Sequence, residues 1–224
     1  MNAIHAAPSL LILIPARNEA AAVGAVVAGC RAFGAAVWVL DDASSDATAR
    51  VAAGAGAEVK RYADHPLGKT SLLRHALREL RSAEAPAAEW IGFLDGDGQH
   101  DPADLPRFWG RSVGTDMVVG DRMGDAAGMP WVRRWTNRAM SALLRMLFGG
   151  AVADTQCGFR LVRRAALGSW LPRGRRYEFE TEIYIQAQSE GWRTEQVAIE
   201  ALYRGEGSGI SWPVDTLRFV RCLW

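Results

Sequence analysis

Asp95 and Asp97 stand two residues apart at the end of the apolar run Trp90-Ile91-Gly92-Phe93-Leu94. Paired carboxylates at the tip of a buried strand suit a hard divalent cation. Mg²⁺ and Mn²⁺ take oxygen ligands and commonly share them with a substrate's phosphates. Gly96, between the two acids, carries no side chain and lets a bulky ligand approach the backbone. Gln99 has no capping or core role of its own and is a third group able to touch a metal or a phosphate. The alternative for an Asp-x-Asp at a strand end is a turn or a helix cap. Asp101-Pro102 reads as such a cap, with Pro at the first helical position. Asp104 is likewise explained by the helix start, and His100 is assigned no chemistry. The pair points to metal-assisted chemistry on a phosphorylated or nucleotide substrate.

The elements that must position the pair are legible as apolar runs alternating with helical periodicity. Strands are predicted at 10–14, 37–40, 58–62 and 90–94. Helices are predicted from Asn18, as cap, to Gly34, over 46–53 with Asp46 as cap, and over 71–81. Apolar strands alternating with helices imply an α/β fold, with a mostly parallel sheet flanked by helices in a single domain. Ligands of such sheets bind beyond the carboxyl ends of the strands. Pro15 to Glu19, Asp41-Asp42 and Asp95 to Asp97 all fall there. The second half is less regular. It carries a short strand at 117–119 leading into Gly120-Asp121-Arg122, then a long basic, apolar helix over 131–148. A strand at 159–162, a helix at 179–190 closed by Gly191, a strand at 197–202 and a helix at 214–224 follow.

With 224 residues and 49% apolar residues, the chain is long enough for one large domain. Its net charge of +1 names no partner. The distribution does. Between Pro130 and Arg176 stand arginines 133, 134, 138, 145, 160, 163, 164, 173, 175 and 176 against one acid, Asp154. A field of that sign attracts phosphate groups, anionic lipid or nucleic acid. The three cysteines form neither a metal-ligand spacing nor a disulfide framework, which fits a reducing compartment. No apolar stretch approaches the roughly 18 residues of a membrane span, and the N-terminus lacks the basic region of a signal peptide. A cytoplasmic protein is expected, peripheral to the membrane if its basic helix lies on it.

Several smaller constellations have two readings each. Ile14-Pro15-Ala16-Arg17-Asn18-Glu19 is a turn and cap, or a backbone laid against a nucleotide. Asp41 and Asp42 sit at a strand tip, where carboxylates accept hydrogen bonds from a base or ribose. Ala63 to Thr70 fits a loosened phosphate-loop pattern ending in Gly68-Lys69-Thr70. Its interior lacks glycine and Pro66 offers no N–H, so a phosphate-loop nucleotidase centred on Lys69 is the minor reading. Glu178 and Glu182 suit a helix start through the macrodipole. One of the acids in Glu178-Phe179-Glu180-Thr181-Glu182 can instead serve as a base. Arg122, Arg160 and Arg204 are candidates for pairing a phosphate, against the plainer role of solvated surface charge.

Together these segments resemble family 2 glycosyltransferases of the GT-A fold, and most closely the polyprenyl-phosphate, dolichol-phosphate mannose synthase-like branch. The resemblance rests on Ile14 to Glu19, Val39 to Asp46, Gly68-Lys69, Leu94 to Pro102, Val119 to Arg122, Asp154 to Arg160 and Phe179 to Glu182, in the family's order. It implies a nucleotide-sugar donor bound by residues 9–123 and an acceptor side in 124–224. It also implies Mg²⁺ or Mn²⁺, and inversion at the anomeric carbon. Pro15, Arg17, Glu19, Asp41, Asp42 and Lys69 then belong to the donor site with Asp95, Gly96 and Gln99. Asp95, Asp97 and Gln99 are the metal set. Arg122, with Arg160 and Arg204, faces an acceptor phosphate. Asp97, Arg122 and Glu180 are the catalytic candidates, Glu180 as base if the acceptor is a hydroxyl. The implied reaction moves a hexose from a GDP-mannose or UDP-glucose type donor to a polyprenyl phosphate, or by the same chemistry to a hydroxyl. A catalytically silent module that binds a membrane surface is the remaining reading. Nucleic acid is not expected as a partner, and the oligomeric state stays open.

Overall fold

A computed structural model describes residues 9–82, 85–124, 131–176 and 178–200. A seven-stranded sheet runs through the molecule in the order β3-β2-β1-β4-β6-β5-β7. Its strands are β1 (Leu10–Ala16), β2 (Ala36–Asp41), β3 (Glu58–Lys60), β4 (Trp90–Phe93), β5 (Met117–Asp121), β6 (Arg160–Arg163) and β7 (Thr194–Ala198). β1 is central and buried on both faces, as its unbroken apolar sequence requires. β6 alone runs against its neighbours, antiparallel to both β4 and β5. The fold is therefore the mixed, mostly parallel α/β architecture expected. The carboxyl ends of β1, β2, β4 and β5 share one edge with the start of β6, where Phe93 pairs with Arg160.

Alternation along the strands splits the core into two layers. Leu11, Leu13, Trp38 and Leu40 pack with α3 (Lys69–Glu79) through Leu72, Leu73 and Leu77, and with α7 (Phe179–Ser189) through Phe179 and Ile183. Leu10, Ile12, Ile14, Val37 and Val39 pack with α1 (Val23–Ala32) through Val23, Val26 and Val27, and with α4 (Leu105–Gly110) through Leu105 and Phe108. α2 (Thr48–Gly54) and α6 (Arg164–Leu167) are short connectors. α5 (Trp131–Phe148) divides its faces. Leu144 is buried, with Met140, Leu143 and Phe148 packed near it. Trp131, Trp135 and Met146 remain 74%, 67% and 75% exposed.

Some boundaries move for local reasons. α1 begins at Val23, because Asn18 adopts φ 57° and ties two loops together instead of capping. Asp46 stands two residues ahead of α2's first residue, yet its Oδ1 accepts from Thr48 N–H at 2.9 Å, which is capping work. α3 starts two residues early, at Lys69. β7 lies upstream of the strand expected at 197–202. Asp101 caps the turn Pro102–Asp104 as expected, accepting from Ala103 N–H at 2.9 Å. Arg204 and the helix expected at 214–224 lie outside the described residues.

Gly92 is the tightest point of the sheet's middle. A Cβ there would run into Ile12 Cδ1 and stand 3.0 Å from Leu161 Cδ2. Gly92→Ala is expected to destabilise by about 1–3 kcal/mol through overpacking. Adding Ile12→Val should recover part of that loss in chemical denaturation, which an effect unrelated to this contact would not show.

Candidate active site

The polar loops lie along the edge where the parallel strands end, but many of their acids are spent on shaping it. Asp41 is fully buried, ion-paired to Arg61, and accepts from Ser44 N–H at 3.2 Å. A side chain so enclosed does not reach a nucleotide, and the donor contact expected of it is set aside. Asp42 accepts from Leu67 N–H at 2.6 Å and Gly68 N–H at 3.0 Å, fixing the approach to α3. Asn18 and Ser45 hold the β1 loop to the β2 loop at 2.9 Å, and Glu19 N–H donates to Thr48 Oγ1 at 2.8 Å. Pro15 is half-buried at the end of β1, and Arg17 is exposed beside it.

Lys69 opens α3 and stands between two carboxylates, with Nζ 2.5 Å from Asp95 Oδ1 and 2.6 Å from Glu180 Oε1. Burial alone would favour a neutral amine, but the charges of Asp95 and Glu180 outweigh it and its pKa is raised. Burial pushes the Asp95 carboxyl up, and Lys69 more than reverses this, so its pKa is lowered. Four N–H groups that a phosphate loop would leave free are engaged here. Those of Leu67 and Gly68 go to Asp42, those of Thr70 and Ser71 to the carbonyls of Arg176 and Arg175. Those four commitments count against the nucleotidase reading. Gly68 has φ +87°, and a Cβ on it would lie 2.5 Å from the Arg175 carbonyl oxygen.

The loop after β4 carries the acidic pair. Asp97 Oδ1 accepts from Gln99 N–H at 2.9 Å, which curls the loop. Gly96 answers a packing need: a Cβ would stand 3.0 Å from Ala16 Cβ and 3.4 Å from Ile14 Cγ2. The missing side chain thus serves the seat of the loop on β1 rather than an approaching ligand. A Cβ on Gly158 would lie 2.5 Å from Asp95 Oδ2, so the loop 154–159 closes directly over that carboxylate. Among the described residues no three His, Cys, Asp or Glu side chains converge in metal-binding array. Two carboxylates and an amide oxygen on one loop, with an ammonium already drawn to Asp95, nonetheless form a donor set that fits a hard cation.

His100 is the group the sequence did not reveal. It is 4% exposed, and its Nδ1 has no hydrogen-bond partner. Burial, then the nearby Arg122 cation, lowers its pKa to about 4, so it stays neutral. Its only sequence signal is its place three residues after Asp97.

Arg122 follows β5 and forks onto Asp154, with Nε to Oδ2 at 2.6 Å and Nη2 to Oδ1 at 3.0 Å. Asp154 is fully buried. Arg160 is 1% exposed and donates to the carbonyls of Cys157, Glu180 and Thr155 at 2.9, 3.2 and 2.6 Å. It is an internal strut, and the acceptor-phosphate role expected of it is withdrawn. Glu178 and Glu182 do more than answer a macrodipole. Glu182 accepts from Gly174 N–H at 2.6 Å, and Glu178 from Arg176 N–H at 2.6 Å. Glu180 alone of the three faces Lys69.

Residues 11–171 match the profile of Glycosyl transferase family 2. An uncharacterized glycosyltransferase of Mycobacterium tuberculosis is 32% identical over 216 residues, covering 95% of this chain and 93% of that protein. The glycosyltransferase AglJ of Haloferax volcanii is 28% identical over 204 residues, and this chain matches 65% of its length. Undecaprenyl-phosphate 4-deoxy-4-formamido-L-arabinose transferase of Pseudomonas paraeruginosa is 26% identical over 166 residues, covering 71% of this chain and 48% of that one. Among solved structures, glucosyl-3-phosphoglycerate synthase of Mycobacterium tuberculosis superposes with a TM-score of 0.73 at 20% identity, over 96% of this chain and 78% of that one. That enzyme was crystallised with Mn²⁺, uridine-diphosphate-glucose and phosphoglyceric acid.

The state of His100 is open to measurement. The folded protein keeps it neutral down to about pH 4, whereas an unfolded chain protonates it near 6.5. Between those values the unfolded state binds more protons, so stability falls as pH drops through that window. His100→Asn should show a shallower loss of Tm between pH 7 and 4.5. An unchanged slope would refute the buried neutral imidazole.

Proposed function

The chain belongs to glycosyl transferase family 2, with the GT-A fold, and on that premise we propose that it moves a hexose from a nucleotide sugar to a polyprenyl phosphate, with inversion and with Mg²⁺ or Mn²⁺ bound. The observation that carries this reading is the pairing of two charged stations on one sheet edge. Lys69 and the loop of Asp95, Asp97 and Gln99 form one. Arg122, held by Asp154, forms the other. The first suits a donor diphosphate and the second an acceptor phosphate.

Asp95, Asp97 and Gln99 would hold the metal. When bound, it supplies electrostatic stabilisation of the leaving diphosphate's charge. Lys69 is the chain's own cation at that point and can turn its ammonium to a donor phosphate. Pro15, Arg17, Glu19 and Asp42 border the nucleotide pocket in this reading. Arg122 presents its guanidinium to the acceptor, oriented by the fork on Asp154. A phosphate acceptor is already anionic near neutral pH, so its attack needs positioning more than a base. A second reading, transfer to a hydroxyl, is favoured by the buried Glu180 carboxylate beside Lys69, which would take the hydroxyl proton. Glu180→Gln should lower transfer to a hydroxyl far more than transfer to a lipid phosphate, since only the former loses its base.

The exposed stripe of α5 supports a lipid-borne acceptor. The helix has Arg133, Arg134, Arg138 and Arg145 and no acid, and it shows Trp131, Trp135 and Met146 to solvent. Tryptophan with arginine on a helix suits the surface of an anionic bilayer, on the cytoplasmic side. No helix among the described residues is long and apolar enough to cross a membrane.

The donor is tested by thermal shift with Mn²⁺ and either GDP-mannose or UDP-glucose. One of them should raise Tm, and Asp97→Asn should remove the metal-dependent part and lower transfer by about 10²-fold or more. No response to any nucleotide sugar would overturn the reading. The chain should also pellet with vesicles containing phosphatidylglycerol, and Trp131→Ser/Trp135→Ser should not. Equal pelleting of the variant, or none by the native chain, would remove the membrane contact.

A further inference from the structure

Four arginines of the basic segment, Arg145, Arg160, Arg163 and Arg164, are used inside the fold. Arg145 donates to the carbonyl of Val152, Arg163 to Thr115 and Glu89, and Arg164 to the carbonyl of Pro86. Arg173, Arg175 and Arg176 are different. All three are exposed, and none of their guanidinium groups meets a carboxylate or a hydrogen-bond acceptor among the described residues.

Their backbone, by contrast, is fixed at almost every polar atom. Glu182 takes the N–H groups of Arg173 and Gly174, and Glu178 those of Arg175 and Arg176. The carbonyls of Arg173 and Gly174 accept from Arg74. Those of Arg175 and Arg176 accept from Ser71 and Thr70 N–H at the start of α3. Gly174 is a glycine because a Cβ would lie 2.6 Å from both Glu178 Cβ and Glu182 Oε1. Solvated surface charges need no such anchoring. The loop also lies beside the catalytic cation. Arg176 bonds to the residue after Lys69, and its Cγ stands 3.2 Å from where Gly68 would carry a Cβ.

We propose that the loop 173–176 is a phosphate-binding site at the mouth of the active edge, where Arg175 and Arg176 receive the phosphate monoester of the acceptor. This rests on the reading of the acceptor as a phosphate. A phosphomonoester carries about −1.5 to −2 charge at neutral pH. Arg122 cannot balance that by itself, because its pair with the buried Asp154 is already neutral as a unit. Lys69 is likewise taken up by Asp95 and Glu180. Two uncommitted guanidinium groups on a rigid loop supply the missing charge in a geometry that forks onto phosphate oxygens.

The full chain and Arg175→Gln/Arg176→Gln are compared in two measurements. The first is the thermal shift given by nucleotide sugar with Mn²⁺. The second is binding of a phosphate-bearing acceptor, in one arm undecaprenyl phosphate in detergent and in the other the soluble 3-phosphoglycerate. Expected is an unchanged donor shift with half-saturation for the acceptor raised at least tenfold, in the arm that the native chain binds. Arg175→Lys/Arg176→Lys, which keeps charge without the fork, should recover part of the loss. Equal acceptor affinity in native chain and glutamine variant overturns the loop site and leaves the donor reading intact. So does a variant that loses only its binding to phosphatidylglycerol vesicles, which would make the loop a contact for lipid headgroups. Absence of acceptor binding by the native chain in both arms overturns the loop site together with the phosphate-acceptor reading. Absence of a donor shift speaks against the functional reading alone.

Discussion

Lys69 places one ammonium between Asp95 and Glu180, at 2.5 and 2.6 Å, and by doing so joins three elements remote in sequence. Asp95 comes from the loop after β4, Glu180 from the first turn of α7, and Lys69 from the first residue of α3. The half-buried Asp95 carboxylate and the buried Glu180 carboxylate would repel without a cation between them. The cation exists there only because α3 begins where it does. That start depends on Gly68 passing under the Arg175 carbonyl, and on the loop 173–176 accepting the helix's first N–H groups. Removing one member of this partly buried set leaves the others uncompensated.

The same logic explains the distribution of acids on this edge. Asp41, Asp42, Asp154, Glu178 and Glu182 all hold loops, through Arg61, Arg122 or backbone N–H groups. They do so where chain geometry is irregular, so that N–H groups lack helix or sheet partners. The carboxylates of Asp95 and Glu180, by contrast, converge on one ammonium, that of Lys69. Lys69 and its two carboxylates thus form a small cluster inside a larger structural set built from the same acidic residue types.

That identity limits what the sequence discloses. The strands were legible because apolar runs and periodicity are local properties, and their carboxyl ends follow from a parallel sheet. Asp101 was legible as a cap because Pro102 sits next to it. Asp41 was not legible as an internal partner, since Arg61 is twenty residues away and meets it only after β3 docks on β2. Arg160 reads like any basic residue at a strand start, and only the packed fold wraps carbonyls around it. Glu182 reaches backwards to residues 173 and 174, the opposite direction to the one a helix-start acid suggests. Gly96 stands out in the sequence, but the packing that requires it lies in β1, eighty residues upstream. His100 needed the closed site before its burial could be seen.

β6 is the one reversed strand, and its direction has a consequence for how this architecture diversifies. β5 ends at the catalytic edge and β6 begins there, so the excursion from Arg122 to Phe159 departs from and returns to the same rim. The whole of α5 and the loop carrying Asp154 lie within that excursion. A segment whose two ends meet the scaffold at one place can be lengthened, shortened or exchanged without shifting any strand. Heritable change can therefore accumulate in that segment as a cassette, while β1 to β4 keep their register untouched.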